Sequence, residues 1–280
     1  MFLKSTYNEW VKIFSKPRSY IGLIALTVLI GVIQFGMKAD GSTYISFVTS
    51  SFEQTLMFTG DIMNGNLIAF IILQMLIVHV PLLVALVTGD LISGESNMGT
   101  IRMLAAKPIS RTSIVLSKFF AGAIYTLFLT LWLGLLAYVL SKWLFGTGDL
   151  MVLTSEGLII HPEGDVAWRF MYGFLTAYLS LLTIATLSIC LSAFAENSIG
   201  PIVSTMAVII LFTIIGTLDV TVFDAIKPYL FTTHMAAWRS YFEDPVPWQA
   251  IKESIYILSC HVVFFIAIAT WQFNRKDILS

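Results

Sequence analysis

Residues 114–140 read IVLSKFFAGAIYTLFLTLWLGLLAYVL and contain one charged side chain, Lys118. About 20 predominantly apolar residues are enough for an α-helix to cross the hydrocarbon core of a bilayer. A stretch this long and this apolar predicts a transmembrane helix that tilts or projects beyond the membrane. The same criterion decides the fold class of the whole chain, because comparable stretches recur along it.

Five further stretches are apolar over a similar length. With the first, they place the predicted spans at residues 20–36, 67–88, 114–140, 170–194, 202–218 and 255–273. The chain is 57% hydrophobic and 12% charged, with a mean hydropathy of +0.85. A soluble domain carries about 25% charged residues, so lipid must solvate most of this chain. We expect an all-α integral membrane protein with six spans in one domain, residues 1–280.

The distribution of lysine and arginine predicts the orientation of the chain. These residues are enriched in short cytoplasmic loops. With the N-terminus inside, ten of them fall on the inner side and six on the outer side. We therefore expect a cytoplasmic-membrane protein with both termini in the cytoplasm. The first apolar stretch follows too long a polar segment for a cleaved signal peptide, and the net charge of −1 excludes broad electrostatic binding to nucleic acid.

The residues before the first span have the pattern of an amphipathic helix. Apolar side chains recur every three or four positions, at Leu3, Tyr7, Trp10, Val11 and Phe14, and the polar residues between them include Lys4, Asn8, Glu9, Lys12 and Lys16. This periodicity predicts a basic helix over residues 1–17 that lies in the inner membrane interface. Pro17 ends it, because the residue before a proline is displaced from helical geometry. A frayed tail is the alternative.

The connection between the second and third spans reads GDLISGESNMGTIRMLAAKPISR over residues 89–111. Ser93 is placed to cap a short helix over residues 94–107, and Glu95 suits the positive end of its dipole. Pro108 would end this helix, and we expect Lys118 beyond it to extend its ammonium group to the inner headgroups. The apolar side of the helix needs a partner, either lipid or another protein.

This loop resembles the first cytoplasmic loop of the membrane subunits of ABC-2 type exporters. Those loops typically read Gly-Glu-x-x-x-Gly-Thr-x-(Arg/Glu)-x-Leu, followed by Pro-(Ile/Val)-Ser-Arg and a later lysine. The matching residues here are Gly94, Glu95, Gly99, Thr100, Arg102, Leu104, Pro108, Ile109, Ser110, Arg111 and Lys118. The resemblance covers the whole chain, including the N-terminal helix, the six spans, the long connection before the last span and the Arg275-Lys276-Asp277 ending.

The resemblance implies that residues 94–107 form a coupling helix that docks in a cleft of a separate ABC ATPase subunit. It implies an exporter with two ATPase copies and two permeases, either two copies of this chain or one copy and a paralogue. The sequence contains no Gly-x-x-x-x-Gly-Lys-(Ser/Thr) motif, so ATP and Mg²⁺ would bind to the partner ATPase. We expect no catalytic residue, cofactor or metal on this chain itself. The residues do not identify the transported substance.

Two other classes of function suit a polytopic membrane protein. A membrane-embedded enzyme would need catalytic residues, and the sequence contains no His-Glu-x-x-His, Gly-x-Ser-x-Gly or paired intramembrane aspartates. A stand-alone channel would leave the motif around Glu95 and Arg102 without a purpose. Along the fourth span, hydroxyl side chains indicate close helix packing, with a polar substrate path as the alternative; they are Thr176, Ser180, Thr183 and Thr186.

Residues 219–254 are too apolar for a free loop and too interrupted by polar residues for a span. We expect a re-entrant pair of short helices that enters from the outer face, as the ABC-2 resemblance also implies. Four large apolar residues would pack there beneath the outer surface and close the outer end of a translocation path: Phe223, Ile226, Leu230 and Phe231. The connection over residues 142–168 is expected to be an ordinary outer loop.

Overall fold

A computed structural model describes residues 2–49, 63–76, 79–100, 109–154 and 157–276. The helices are α1 Phe2–Ser15, α2 Pro17–Thr49, α3 Gly65–Leu76, α4 His79–Thr88, α5 Asp90–Asn97, α6 Arg111–Gly134, α7 Ser141–Phe145, α8 Glu163–Phe194, α9 Ile199–Thr217, α10 Thr221–Asp224, α11 Phe231–His234 and α12 Trp248–Arg275. A π-helical segment, Leu135–Leu140, joins α6 to α7, and 3-10 segments lie at Lys227–Tyr229 and Ala237–Phe242. Two strands are β1 Leu150–Thr154 and β2 Gly157–His161.

Within the described residues, five helical stretches are long and apolar enough to cross a membrane: Pro17–Gly41, Arg111–Phe145, Glu163–Phe194, Ile199–Thr217 and Trp248–Arg275. The chain is therefore a multi-pass helical membrane protein. Most of these helices begin before the apolar stretch that predicts them. In α8, for example, the helix begins at Glu163, and its first turns contain an ion pair between Asp165 and Arg169, at 2.7 Å, which stabilises a helix at this spacing.

The second predicted span, residues 67–88, is broken rather than straight. The axis of α3 and that of the following helical stretch, His79–Asn97, differ by 58°. Pro81 lies in the first turn of α4, where a proline cannot donate a backbone hydrogen bond to the carbonyl four residues earlier, and its ring disfavours a continuous helix. Counted as one span, this bent pair raises the number of candidate spans to six.

Helix α8 forms the centre of the bundle. In its most apolar stretch 61% of the residues are buried, against 17% in α9 and in α12. Its hydroxyl residues, Thr176, Ser180, Thr183 and Thr186, are all buried. Ser180, Thr183 and Thr186 donate to carbonyls one turn earlier in the helix, and the Thr176 hydroxyl bonds to that of Tyr241. The hydroxyl groups are thus bonded within the protein interior, which favours the interpretation of these residues as packing residues.

The predicted outer loop over residues 142–168 contains a β-hairpin instead. Strands β1 and β2 pair antiparallel, with Leu150 opposite His161 and Leu153 opposite Leu158. The alternating side chains explain this, since Leu150 and Val152 face inward and are buried beside Phe70 and Phe242. The hairpin covers the ends of α3 and α8, and we refer to this end of the bundle as the hairpin end.

The N-terminal helix follows the predicted pattern and ends at Ser15, and Pro17 begins the next helix. Fewer of its apolar side chains are buried than the periodic pattern predicts. Ile13 is buried in a core cluster with residues of α5, α6, α8 and α12, whereas Leu3 and Tyr7 are exposed. This helix therefore lies across the end of the bundle opposite the hairpin.

Candidate functional site

The loop with the ABC-2-like motif begins at α5, and the carboxylate of Glu95 on this helix points into the protein. Its Oε2 atom lies 2.8 Å from Nζ of Lys118 on α6, and its Oε1 atom lies 2.8 Å from Nζ of Lys12 on α1. Only 8% of the Glu95 side chain is exposed. Glu95 thus connects the loop to the N-terminal helix and to the third predicted span.

Glu9 completes a closed arrangement of alternating charges. Its Oε2 atom lies 2.9 Å from Nζ of Lys118, and its Oε1 atom lies 2.6 Å from Nζ of Lys12. We call the four residues Glu9, Lys12, Glu95 and Lys118 the ion ring. The side chains of Glu9 and Lys118 are 6% and 1% exposed, and that of Lys12, at the rim, is 44% exposed.

The ring is electrically neutral, which explains how a lysine can be buried near the start of an apolar helix. Burial alone raises the pKa of Glu9, but the ammonium groups of Lys118 and Lys12 outweigh it and hold the pKa below its usual value of 4.5. Burial lowers the pKa of Lys12, and its bonds to Glu9 and Glu95 raise it above 10.5 overall. Glu9 and Lys12 are therefore both charged at neutral pH.

Asp90, at the start of α5, holds a second ionic contact between the same elements. Its carboxylate lies 2.9 Å from Nζ of Lys16 and 2.9 Å from a guanidinium nitrogen of Arg18. A Cβ atom on Gly94 would overlap that carboxylate, so glycine is needed one turn after Asp90. This close approach gives Gly94 of the motif a structural purpose.

Helix α5 is also fastened to α8 through hydroxyl groups. The Ser192 hydroxyl donates to the carbonyl of Gly89, at 2.6 Å, and accepts from the backbone N–H of Ser93, at 2.9 Å. Ser93 was predicted to be an N-cap, but it lies inside α5, and its hydroxyl donates to the Gly89 carbonyl at 2.8 Å. The cap position belongs to Gly89, because α5 begins earlier than the motif suggests.

The prediction of one continuous helix over residues 94–107 is wrong at its start. Helix α5 already spans Asp90–Asn97, and Gly99 has a φ of +68°, a left-handed conformation that ends helices. The N–H groups of Met98 and Gly99 close the helix on the carbonyls of Gly94 and Ser96, both at 3.1 Å. The Thr100 hydroxyl donates to the Glu95 carbonyl at 3.3 Å.

Three of the predicted coupling residues, Arg102, Leu104 and Pro108, lie outside the described residues, so their placement stays a prediction. The expectation that Lys118 extends to the headgroups is wrong, since Glu9 and Glu95 retain its ammonium group in the interior. In the sequence, Glu9 is one of the polar residues of the amphipathic pattern. The available signal was one carboxylate on an otherwise basic helix, three residues before Lys12.

At the hairpin end, two of the four predicted gate residues are buried and the other two are more exposed. Leu230 and Phe231 are 8% and 0% exposed. The ring of Phe231 lies 5.5 Å and 6.3 Å from aromatic rings of α9 and α12, the fifth and sixth predicted spans. Phe223 is half-buried and Ile226 is 44% exposed, so the expectation of burial within this chain is wrong for Ile226. It is exposed because α10 and the 3-10 turn after it lie at the surface.

Within the described residues, no three His, Cys, Asp or Glu side chains lie close enough together to bind a metal ion.

Comparison with known proteins assigns this chain to a family but gives no activity. The uncharacterized protein YhcI of Bacillus subtilis (strain 168) is 27% identical to this chain over 203 residues, which cover 70% of this chain and 63% of that protein. This chain thus spans less than two thirds of that relative's length. Residues 22–279 match the family described as Protein of unknown function (DUF2705), and the chain therefore belongs to that family.

Proposed function

We propose that this chain is the membrane subunit of an ATP-driven ABC-2 type exporter. In this proposal the bent α3–α5 pair counts as one span, so that six spans cross the cytoplasmic membrane and both termini lie in the cytoplasm. A separate ABC ATPase, in two copies, supplies the energy and binds ATP and Mg²⁺. The second permease is another copy of this chain or a paralogue.

The observation that carries the proposal is the ion ring. The loop with the ABC-2-like motif is joined by buried ion pairs to α6, the third predicted span, and to the N-terminal helix. A force applied to this loop by another protein would therefore reach a transmembrane helix through ionic contacts of 2.8–2.9 Å. A loop of a stand-alone channel has no need for such a connection.

The buried carboxylate changes the role that the motif suggests for Glu95. An ATPase would not meet it directly, because Lys12 and Lys118 already occupy it. We infer that Glu95 is a positioning residue, which holds the base of the loop. The docking face would begin beyond it, at Met98, which is 58% exposed, and continue through Thr100 to Arg102.

Purification of the tagged full-length chain from its native host tests the proposal. We expect an ATPase subunit to co-purify. We also expect Glu95→Gln, reconstituted in proteoliposomes at the same amount of folded protein as the wild type, to lower the ATPase rate that the permease stimulates. Glu196→Gln is the matched control, because Glu196 is exposed in the α8–α9 turn at the same end of the bundle. A preparation that contains no ATPase and conducts ions would instead establish the channel.

Orientation has its own test. Reporter fusions after Asp61, Glu156 or Pro245 should report the outer side, and fusions after Asn97 or Ser280 the inner side. A fusion after Asn97 that reports the outer side would contradict the six-span topology and place the ion ring on the wrong side for an ATPase.

A further inference from the structure

Arg239, in the 3-10 segment Ala237–Phe242 at the hairpin end, lacks an anionic partner among the described residues. Its side chain is half-buried, and its Nε atom is buried without a hydrogen-bond partner there. One face of the guanidinium lies 5.7 Å from the centroid of the Trp238 ring. Burial lowers the pKa of Arg239, and no carboxylate contact offsets that effect. A guanidinium kept in this state costs free energy unless something binds it.

The neighbouring Arg169 shows how this end of the bundle satisfies an arginine. Its guanidinium pairs with Asp165 at 2.7 Å and donates to the carbonyls of Tyr241 and Glu243 at 2.6 and 3.3 Å. Arg169 thus binds the backbone beside Arg239, and its own hydrogen bonds and ion pair are supplied by the chain. The unpartnered Nε of Arg239 is therefore a local feature and not a general property of this region.

The guanidinium lines a cavity of about 550 Å³, within the range of 300–1,000 Å³ that is usual for small-molecule sites. One side of this cavity is apolar and consists of Phe70 on α3 and the hairpin side chains Val152, Leu153 and Ile159. Gln74 adds an amide from α3. The lining thus combines apolar side chains with a larger share of polar surface, and an amphiphilic molecule can use both.

Two carboxylates, Glu243 and Asp244, line the same cavity. In the described part of the chain, neither forms an ion pair with Arg239, and the carboxylate of Glu243 accepts a hydrogen bond from the Ser240 hydroxyl, at 3.1 Å. The cavity therefore presents one cation and two anions that do not neutralise one another. A purely anionic ligand would be repelled by the two carboxylates, and a purely cationic one would leave the buried Nε of Arg239 without an acceptor.

We propose that this cavity binds a zwitterionic amphiphile, with its phosphate or carboxylate on Arg239, its ammonium group at Glu243 and Asp244, and its apolar chain against the hairpin. Arginine suits this role because its planar fork of N–H donors matches a phosphate or carboxylate in a bidentate manner. The inference goes beyond the proposed function, since binding requires neither an ATPase nor transport.

Binding of a short-chain, water-soluble phosphatidylethanolamine to the purified full-length chain in an uncharged detergent tests this site. We expect saturable binding, detected by calorimetry and by a rise in Tm with ligand concentration. Arg239→Ala should weaken binding about tenfold or more, as the loss of a hydrogen bond to a charged group does. Arg239→Lys should give an intermediate affinity. Lys252→Ala, an exposed lysine in the first turns of α12, should bind as the wild type does.

Ile159→Trp provides a second route that leaves the arginine in place. The larger side chain should fill the apolar part of the cavity and weaken binding, even if Arg239→Ala fails to fold. Two further probes identify the ligand class. Short-chain phosphatidic acid lacks the ammonium group, and inorganic phosphate lacks the chain, so both should bind more weakly than phosphatidylethanolamine.

Three results would overturn the inference. Equal affinity of Arg239→Ala and the wild type, at an unchanged Tm without ligand, would remove the arginine from the site. Phosphatidic acid that binds as tightly as phosphatidylethanolamine would remove the role of the carboxylates. Inorganic phosphate that competes at equal affinity would replace the amphiphile by a small anion.

Discussion

The ammonium group of Lys118 lies 2.8 Å from a carboxylate oxygen of Glu95, and only 1% of the Lys118 side chain is exposed. The two residues belong to different helices, α5 and α6, and residues 101–108 of the motif lie between them in the sequence. A lone ammonium group at this position would be strongly destabilising, so the burial of Lys118 depends on Glu95 and Glu9. The ion pairs of Lys118 thus hold the base of the loop, on α5, against α6, the third predicted span.

Removal of Lys118 should destabilise the protein strongly. Lys118→Met leaves two buried carboxylates with only Lys12 between them, and a buried ion pair that loses one partner typically costs about 3–5 kcal/mol. We expect a clear fall in Tm in thermal unfolding of the purified protein. Lys252→Met, at an exposed position, should leave Tm unchanged.

The double variant Lys118→Met/Glu95→Gln should recover part of this loss, because it leaves the neutral pair of Lys12 and Glu9. The two single changes should therefore be non-additive, as expected for residues in one ionic network. Strict additivity would show that the two side chains do not interact in the folded protein.

Acid should loosen the N-terminal helix through Glu9. The folded-state pKa of this carboxyl lies below 4.5, because Lys118 and Lys12 outweigh the effect of burial. The stabilisation is then complete above pH 4.5 and is lost as the pH falls through the folded-state value. Tm measured from pH 7 downward should fall less steeply in Glu9→Gln than in the wild type. An identical slope would contradict the ionised ring, and Asp224→Asn, at an exposed carboxylate, serves as control.

Gly94 should not tolerate a methyl group. The Cβ atom of Gly94→Ala would overlap the Asp90 carboxylate and displace it from Lys16 and Arg18, and overpacking of this kind costs about 1–3 kcal/mol. Gly31→Ala in α2 is the matched control, since its Cβ would meet nothing within 4 Å. There the substitution should be neutral or stabilise the helix by about 0.5–1 kcal/mol. A Gly94→Ala protein with an unchanged Tm would show that Asp90 can move freely.

The predicted gate can be tested by thiol accessibility in a variant whose Cys190 and Cys260 are replaced by alanine. Phe231→Cys should react slowly with a membrane-impermeant reagent, because this position is fully buried. Tyr229→Cys, which replaces a residue that is 70% exposed only two positions earlier, should react fast. Equal fast labelling at both positions would show a solvated loop and would exclude closure of the path by this segment.

Much of the fold is local and can be predicted from the sequence. The apolar stretches lie within or close to helices α2, α6, α8, α9 and α12, and Pro17 separates α1 from α2. The sequence does not reveal the hairpin. Its strands, β1 and β2, have only five residues each, and such short apolar stretches cannot be told from a loop until the surface on which they pack is known. The apolar pattern predicts residues 67–88 as one span and does not reveal the angle of 58° between α3 and the helical stretch after it.

The sequence by itself determined which segments lie in lipid and which lie in water. A run of apolar side chains either is or is not long enough to span a bilayer, and this depends on neighbouring residues alone. The partners of the charged groups were decided only by the tertiary structure. Glu9, Glu95 and Lys118 are far apart along the chain, and each taken alone reads as an interfacial charge; packing of α1 across α5 and α6 removes them from water, and a buried charge is stable only beside its opposite.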